Sequence, residues 1–396
     1  VGKTIIPIGP YHPLQEEPEF FQLVVDGEKI VDVFVNVGYN HRGIEKLSEL
    51  KTFDQSAFVV ERICGICSTS HPLAYVMAVE DILGSDCVVP ERALYIRTIT
   101  AELERVHSHL LWLGLAGHFL GYNTVYMWAW KQREEILDML EGLSGNRNNY
   151  AMMKVGGVRR DFDSSSFPGI IKRLNDIVKF LQTIKKAVLD DPVLHARLKG
   201  IGVLTKQDCI DYGALGPTSR ASGVDNDVRR DEPYAAYDRI NWNVVTQQEG
   251  DVFAKAVVRI VEMFESINML IQCFNRMPSG PIDANVKDVP VGEGIGHIEA
   301  PRGECFHYVK SDGTNRPVRH KVRAPTFMNL PTYKEALIGE TISDATIILA
   351  GIDPCYCCTE RVTVLDCCKG NKEIYSQKDL IRLSQEKTEK LRQRGC

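Results

Sequence analysis

The sequence predicts a mainly α protein with a smaller β portion, an α+β chain with a central bundle of long helices and an N-terminal β-hairpin or small sheet. Three observations carry this reading. Helical apolar periodicity dominates after Thr52, and strand-like alternation is confined to the segment before it. A chain of 396 residues, 44% hydrophobic and 25% charged, can bury a large core without disulfide staples.

Residues 21–37 alternate apolar and polar side chains around Asp26-Gly27, which predicts two strands joined by a tight turn. Helices are expected at about 68–84, 90–117, 122–142, 169–188 and 332–350, each ended by Gly, Pro or a polar cluster. The clearest stripe includes Val252, Ala256, Ile260, Phe264, Ile267 and Ile271, with Asp251, Lys255, Arg259, Glu262 and Glu265 opposite, and reads as a long amphipathic helix. Residues 219–250, dense in charge and Asn, and 280–296, dense in Gly and Pro, read as long surface loops. The run 106–130 lacks Asp, Glu, Lys and Arg, but three His and three Gly interrupt it, which suits buried helices better than a membrane span.

Residues 1–361 read as one domain, with a β region at about 1–50, a helical core at about 52–280 and a mixed region at about 281–361. The segment 362–396 reads as a tail. Its last 28 residues hold eight basic and four acidic side chains, whereas the preceding 368 carry a net charge of −9. Ser376 and Asp379 suggest a capped terminal helix reaching about Leu391.

The overall charge of −5 gives no electrostatic reason to expect a nucleic-acid partner. The opening VGKTIIPIGP has no basic segment followed by an apolar one, so a reducing compartment is expected. There, twelve cysteines point to metal or redox chemistry rather than disulfides. Two C-x-x-C pairs occur, Cys64-Gly-Ile-Cys67 and Cys355-Tyr-Cys-Cys358. If the first pair opens a helix, Cys64, Cys67 and His71 share one face.

Four thiolates could hold zinc, an iron-sulfur cluster, or another soft or borderline metal such as nickel. The 287 residues between Cys67 and Cys355 exclude a local zinc knuckle and favour a metal that joins both ends of the fold. Closing that loop costs about 5 kcal/mol, against roughly 10–16 kcal/mol from a tight thiolate site. Cys87, Cys209, Cys273 and Cys305 read as core or incidental thiols, and Cys357, Cys367 and Cys368 as neighbours of the site. His107 and His109 read as packing histidines.

The flanks of the two pairs carry a resemblance. Arg62-Ile-Cys64-Gly-Ile-Cys67 with His71, together with Asp353-Pro-Cys355 and Cys358 followed by Arg361, resembles the paired signatures of nickel-iron hydrogenase large subunits. Gly9-Pro-Tyr-His-Pro13, His41-Arg-Gly-Ile-Glu-Lys46, Gly156-Gly-Val-Arg-Arg-Asp161 and Gly216-Pro-Thr-Ser-Arg220-Ala-Ser-Gly223 resemble the energy-converting, membrane-bound (group 4) branch, which is similar to the catalytic-core subunit of respiratory complex I. The ending in Arg361, where many uptake hydrogenases have histidine, fits that branch.

The resemblance implies a nickel held by all four cysteines, with Cys64 and Cys355 terminal and Cys67 and Cys358 bridging to an iron that carries cyanide and carbon monoxide. It implies Glu17 as a proton relay, although by itself that residue reads as a surface carboxylate. Arg302 matches the arginine over the open metal position, Thr326 a hydroxyl that bonds a cyanide, and His71 a partner of a bridging thiolate. Glu45 falls at the position of a second metal, magnesium or iron.

The implied activity is reversible reduction of protons to dihydrogen, coupled through partner subunits to ion translocation. Those partners are an iron-sulfur small subunit, other hydrophilic complex I-like subunits and membrane-embedded subunits, at the cytoplasmic face of the cell membrane. The electron donor is expected to be ferredoxin, with carbon monoxide dehydrogenase or a formate dehydrogenase as alternatives, and the segment after Arg361 is either removed by a maturation protease or kept as a helix that docks a neighbouring subunit. Iron-sulfur clusters are expected only in partners, since this chain has no second set of cluster-spaced cysteines. Tyr75 and His41 resemble positions near the quinone site of complex I, which keeps a quinone- or sulfur-reducing subunit as the alternative, beside a non-catalytic zinc-binding assembly subunit.

Overall fold

A computed structural model describes residues 2–13, 15–359 and 377–393. Strand β1 (Thr4–Ile8) pairs antiparallel with β2 (Phe20–Asp26), which turns through Gly27 at φ 63° into β3 (Lys29–Asn36). Phe21, Leu23, Val25 and Ile30 bury one face of this sheet, as the alternation requires. Strand β1 is an addition to the expected hairpin. It sits at the sheet edge, where Pro7 is tolerated.

Helix α1 (Ile44–Glu49) leads to α2 (Phe53–Glu61), which starts in a Thr52–Gln55 capping box. Helices α3 (Ser70–Leu83), α4 (Glu91–Phe119), α5 (Asn123–Ser144) and α6 (Phe167–Asp190) follow the apolar periods closely. Helix α4 is buried nearly all round because it packs between α5 and the central helix Val252–Arg276. The uncharged run 106–130 is divided between α4 and α5 at residues 120–122. Among the described residues no helix is long and apolar enough to cross a membrane.

The structure corrects four expectations. The helix expected at 332–350 is two helices, Tyr333–Leu337 and Ile342–Gly351, parted where the backbone of Gly339 and Glu340 pairs with Ile30 on the open edge of β3. The central helix does not turn its charged face to water: Lys255, Arg259 and Glu262 are buried. Lys255 Nζ donates to Gly202 O at 2.8 Å, and Glu262 accepts from Arg220 and lies 2.9 Å from His109 Nε2. Segment 219–250 is irregular but packed, with Arg220, Asp227, Arg229 and Tyr237 inside.

The fourth correction matters most for the site. After the two-residue ladder of β4 (Met153–Lys154) and β5 (Gly157–Val158), the expected loop 280–296 runs into a second antiparallel sheet, β6 (Val291–Ala300), β7 (Gly303–Asp312) and β8 (Pro317–Arg323). Its glycines mark close contact rather than flexibility. A Cβ on Gly294 would lie 2.1 Å from Ala78 O, and one on Gly296 2.1 Å from Ala74 O, so α3 can lie against β6 only because these positions have no side chain. Gly296→Val is therefore expected to destabilise the fold by about 3 kcal/mol or more, read as a lowered denaturation midpoint. An unchanged midpoint would mean that this contact is not tight.

Residues 360–376 lie outside the described residues, and with them Arg361, Cys367, Cys368 and the Ser376 cap. Helix Gln377–Gln393 covers the expected tail helix.

Candidate metal centre

Cys64 and Cys67 lie in the turn between α2 and α3, not on the helix that their spacing suggests. Cys64 Sγ accepts the amide hydrogens of Ile66 and Cys67, both at 3.3 Å, a nest that favours negative charge on sulfur. Glu104 of α4 holds the start of α3, accepting from the amide of Thr69 and from the amide and hydroxyl of Ser70. Burial pushes its carboxyl up to about 8, against those hydrogen bonds. This anchored first turn aims His71 Nε2 at Cys358 Sγ, 3.4 Å away.

The second pair forms a turn after helix Ile342–Gly351, following Asp353 in a left-handed conformation, φ 58°. Thr326 Oγ1 accepts the Cys355 amide at 3.0 Å. Arg42 ties the two cysteine turns together, donating to Arg62 O at 3.0 Å, Ile63 O at 2.7 Å and Cys357 O at 3.3 Å. Cys355 Sγ then lies 3.2 Å from Cys64 Sγ and 2.9 Å from Cys358 Sγ. All four motif sulfurs belong to buried residues.

Charged groups border this sulfur cluster. Arg302 Nη1 lies 3.6 Å from Cys67 Sγ and donates to Ser108 Oγ at 3.2 Å, while Nη2 pairs with Asp353 Oδ1 at 2.8 Å. Burial opposes the guanidinium charge, but Asp353 and the neighbouring sulfurs outweigh it. Glu17 Oε1 is 3.8 Å from Cys355 Sγ, and Oε2 accepts the Cys357 amide at 2.7 Å. Burial, with charge on the Cys64 sulfur, raises its carboxyl above the ordinary range. Glu16 is pushed up to about 7, again by burial, with Arg302 pulling the other way.

A small cavity beside Glu16, Asp353 and Pro354 is also lined by Trp112 and Ala116. The same two residues line a larger apolar cavity of about 150 Å³ between α4 and α6.

Comparison with known proteins places the chain in a family. The model of the respiratory-chain NADH dehydrogenase 49 Kd subunit matches residues 120–289 and 282–361, and that of nickel-dependent hydrogenase matches residues 42–117. The membrane-bound hydrogenase subunit alpha of Pyrococcus furiosus is 43% identical over 98% of this chain and 93% of its own length. The carbon monoxide-induced hydrogenase of Rhodospirillum rubrum is 42% identical over 90% of this chain and 99% of its own. The chain belongs to the energy-converting nickel-iron hydrogenase large subunits, relatives of the 49 kDa subunit of complex I. A solved chain of the membrane-bound sulfane sulfur reductase, an archaeal respiratory membrane complex, superposes on this hydrogenase subunit with a TM-score of 0.86, at 31% identity over 91% of this chain and 98% of that one.

The donor set fits the metal centre that this membership implies. The Cys355 sulfur touches those of Cys64 and Cys358 at 3.2 and 2.9 Å, beyond the roughly 2.05 Å of a disulfide. Hydrogen bonds from Cys355, Cys358 and Cys67 hold the Cys64 thiol well below its ordinary value, whereas burial and the neighbouring thiols push Cys358 up. Negative charge on buried soft donors is what a cation such as nickel would relieve.

The other sequence-derived positions of this hydrogenase subunit divide. Glu45 accepts from Lys321 Nζ at 3.0 Å and from the Val322 amide at 3.1 Å. Among the described residues the groups of three or more donor atoms within 4.8 Å of one another are Cys64, Cys355 and Cys358, and His71, Cys305 and His307; Glu45 is in neither, and Cys67 lies beside the first group without being within that distance of all its members. Tyr75 is fully buried, its hydroxyl bonded to Phe53 O and its ring edge-on to His320, and His41 is exposed. His107 and His109 are buried packing residues, as read. Cys305 is a core thiol, as read, with its sulfur 3.4 Å from His71 Nδ1. Arg42, Glu104, Asp353 and Glu16 were given no role by the sequence reading. Only Arg42 and Asp353 had a signal, being inside the quoted motifs.

Proposed function

We propose that this large subunit reduces protons to dihydrogen, and oxidises dihydrogen in reverse, at a nickel-iron centre held by Cys64, Cys67, Cys355 and Cys358. The convergence of two sulfur pairs, 287 residues apart, with Glu17 and Arg302 at their rim, carries the reading. When bound, the centre supplies redox and Lewis-acid chemistry to hydrogen.

The chain's own residues do the rest. Arg302, fixed by Asp353 and Ser108, keeps a positive charge beside the sulfurs and orients what approaches them. Glu17 Oε1 takes up or releases the proton at the Cys355 edge, while Oε2 stays anchored on the Cys357 amide. Thr326, whose hydroxyl oxygen accepts the Cys355 amide, would have its hydroxyl hydrogen free to bond a cyanide if the iron carried cyanide and carbon monoxide.

Electrons come from ferredoxin through an iron-sulfur small subunit, and complex I-like hydrophilic and membrane subunits couple the reaction to ion translocation. Membrane complexes among the relatives support this assembly, with the subunit peripheral on the cytoplasmic face. A maturation protease that cuts after Arg361 belongs to the same reading, supported by the charge break at the tail.

The test is hydrogen evolution by the purified complex with a reduced one-electron donor. Glu17→Gln keeps an acceptor for the Cys357 amide but loses the proton, and is expected to slow evolution about 100-fold or more at unchanged nickel and iron content. A wild-type rate would reduce Glu17 to a structural acceptor.

A further inference from the structure

Three buried imidazoles run in line from the sulfur cluster to α1. His71 on α3 places Nε2 3.4 Å from Cys358 Sγ and Nδ1 3.1 Å from His307 Nε2. His307 on β7 places Nδ1 2.9 Å from His320 Nε2, and His320 on β8 places Nδ1 2.6 Å from Ser48 Oγ. Ser48 is itself buried, and its single hydroxyl hydrogen goes either to His320 Nδ1 or to Glu45 O, 2.8 Å away. Tyr75 packs edge-on against His307 and His320 and keeps the line dry.

We propose that Ser48, His320, His307 and His71 form a proton wire, a second route beside Glu17 that runs between helix α1 and the sulfur edge of the metal site. The purpose of the proton rests on the hydrogenase reading, but the wire itself rests on the hydrogen bonds. A neutral imidazole has one N–H and one bare nitrogen, so the direction of one link fixes every other. When the Ser48 hydroxyl donates to His320 Nδ1, His320 Nε2–H donates to His307 Nδ1, His307 Nε2–H to His71 Nδ1, and His71 Nε2–H points at Cys358.

In an inward passage a proton reaches Ser48 Oγ, whose own hydrogen moves to His320 Nδ1. His320 Nε2 passes its hydrogen to His307 Nδ1, His307 Nε2 passes its own to His71 Nδ1, and the hydrogen on His71 Nε2 leaves at the sulfur edge. One proton enters, one leaves, and no electron moves. All N–H bonds then point the other way, with Ser48 donating to Glu45 O, and the chain resets by turning its hydroxyl and rings.

A competing use of the cluster is a cation on His71, Cys305 and His307, whose donor atoms all lie within 4.8 Å of one another. Geometry favours the wire, because the line continues past those three donors through two further links to α1. Burial also keeps the Cys305 thiol protonated and the His307 and His320 rings neutral, which suits a relay.

The test uses the full-length, metal-free chain labelled with ¹⁵N-histidine. Ser48→Ala removes the outermost link, and a wire predicts that the imidazole ¹⁵N signals of His71 and His307 change tautomer balance along with those of His320. A change confined to His320 would overturn the wire. In the loaded complex His307→Gln, which can bond but not pass a proton on, is expected to slow hydrogen evolution about tenfold at unchanged nickel and iron content. An unchanged rate would also overturn it. Cobalt bound in the Cys64→Ser chain but lost in the Cys64→Ser, Cys305→Ser double variant would decide for the cation. A wild-type complex that evolves no hydrogen would sink the hydrogenase reading and leave the ¹⁵N result to decide the wire.

Discussion

Replacement of Cys355 by Ser abolishes hydrogen evolution, by about a thousandfold or more, and strips nickel from the complex. Cys355 Sγ is in contact with the sulfurs of both Cys64 and Cys358, so it joins the N-terminal pair to the C-terminal one. A serine hydroxyl is a harder and more basic donor and does not replace a thiolate for a soft or borderline metal. The same loss is expected for Cys64, Cys67 and Cys358. Cys273, packed inside the central helix away from both donor groups, is the control: its serine variant keeps both metals. Full activity in Cys355→Ser would remove the basis of the site.

Arg302→Lys lowers hydrogen evolution about 100-fold while the metal content stays intact. The guanidinium spans Asp353, Ser108 and Cys67 from one planar group, and its Nε donates to Asp353 O at 2.8 Å. An ammonium is a point charge on a flexible stem and cannot make that set of bonds at once. It would also leave Asp353 buried with fewer partners, beside Arg259 at 3.9 Å. Activity and metal content measured on the same preparation separate orientation from assembly, and a wild-type rate would return Arg302 to a structural ion pair.

Much of the helical frame was legible because burial follows sequence period. Helices α3 to α6 and the hairpin β2–β3 each carry their own pattern, and local pattern predicts local structure. The sheet β6–β8 was missed for a definite reason. Gly292, Gly294 and Gly296 resemble loop residues until the approach of α3 is known, and that approach is set by Ala74 and Ala78, more than two hundred residues earlier. The burial of Lys255, Arg259 and Glu262, opposite the apolar stripe, was not legible either, because partners such as Arg220 and Gly202 come from segments with no period of their own.

At the site, the cysteines could be read from spacing and flanks. Glu17 read as a surface carboxylate except by resemblance, since no local pattern betrays a burial produced by the Cys357 turn. Glu104, His307 and His320 act through partners on other elements, and neighbouring residues in sequence say nothing of that.

The most direct measurement of the central claim is elemental analysis of the purified complex, corrected for metals in partner subunits. About one nickel per large subunit, with about one iron beyond those of the partner clusters, both lost in Cys355→Ser, is the expected result. Zinc alone at the four cysteines, with neither metal present in active preparations, would contradict it.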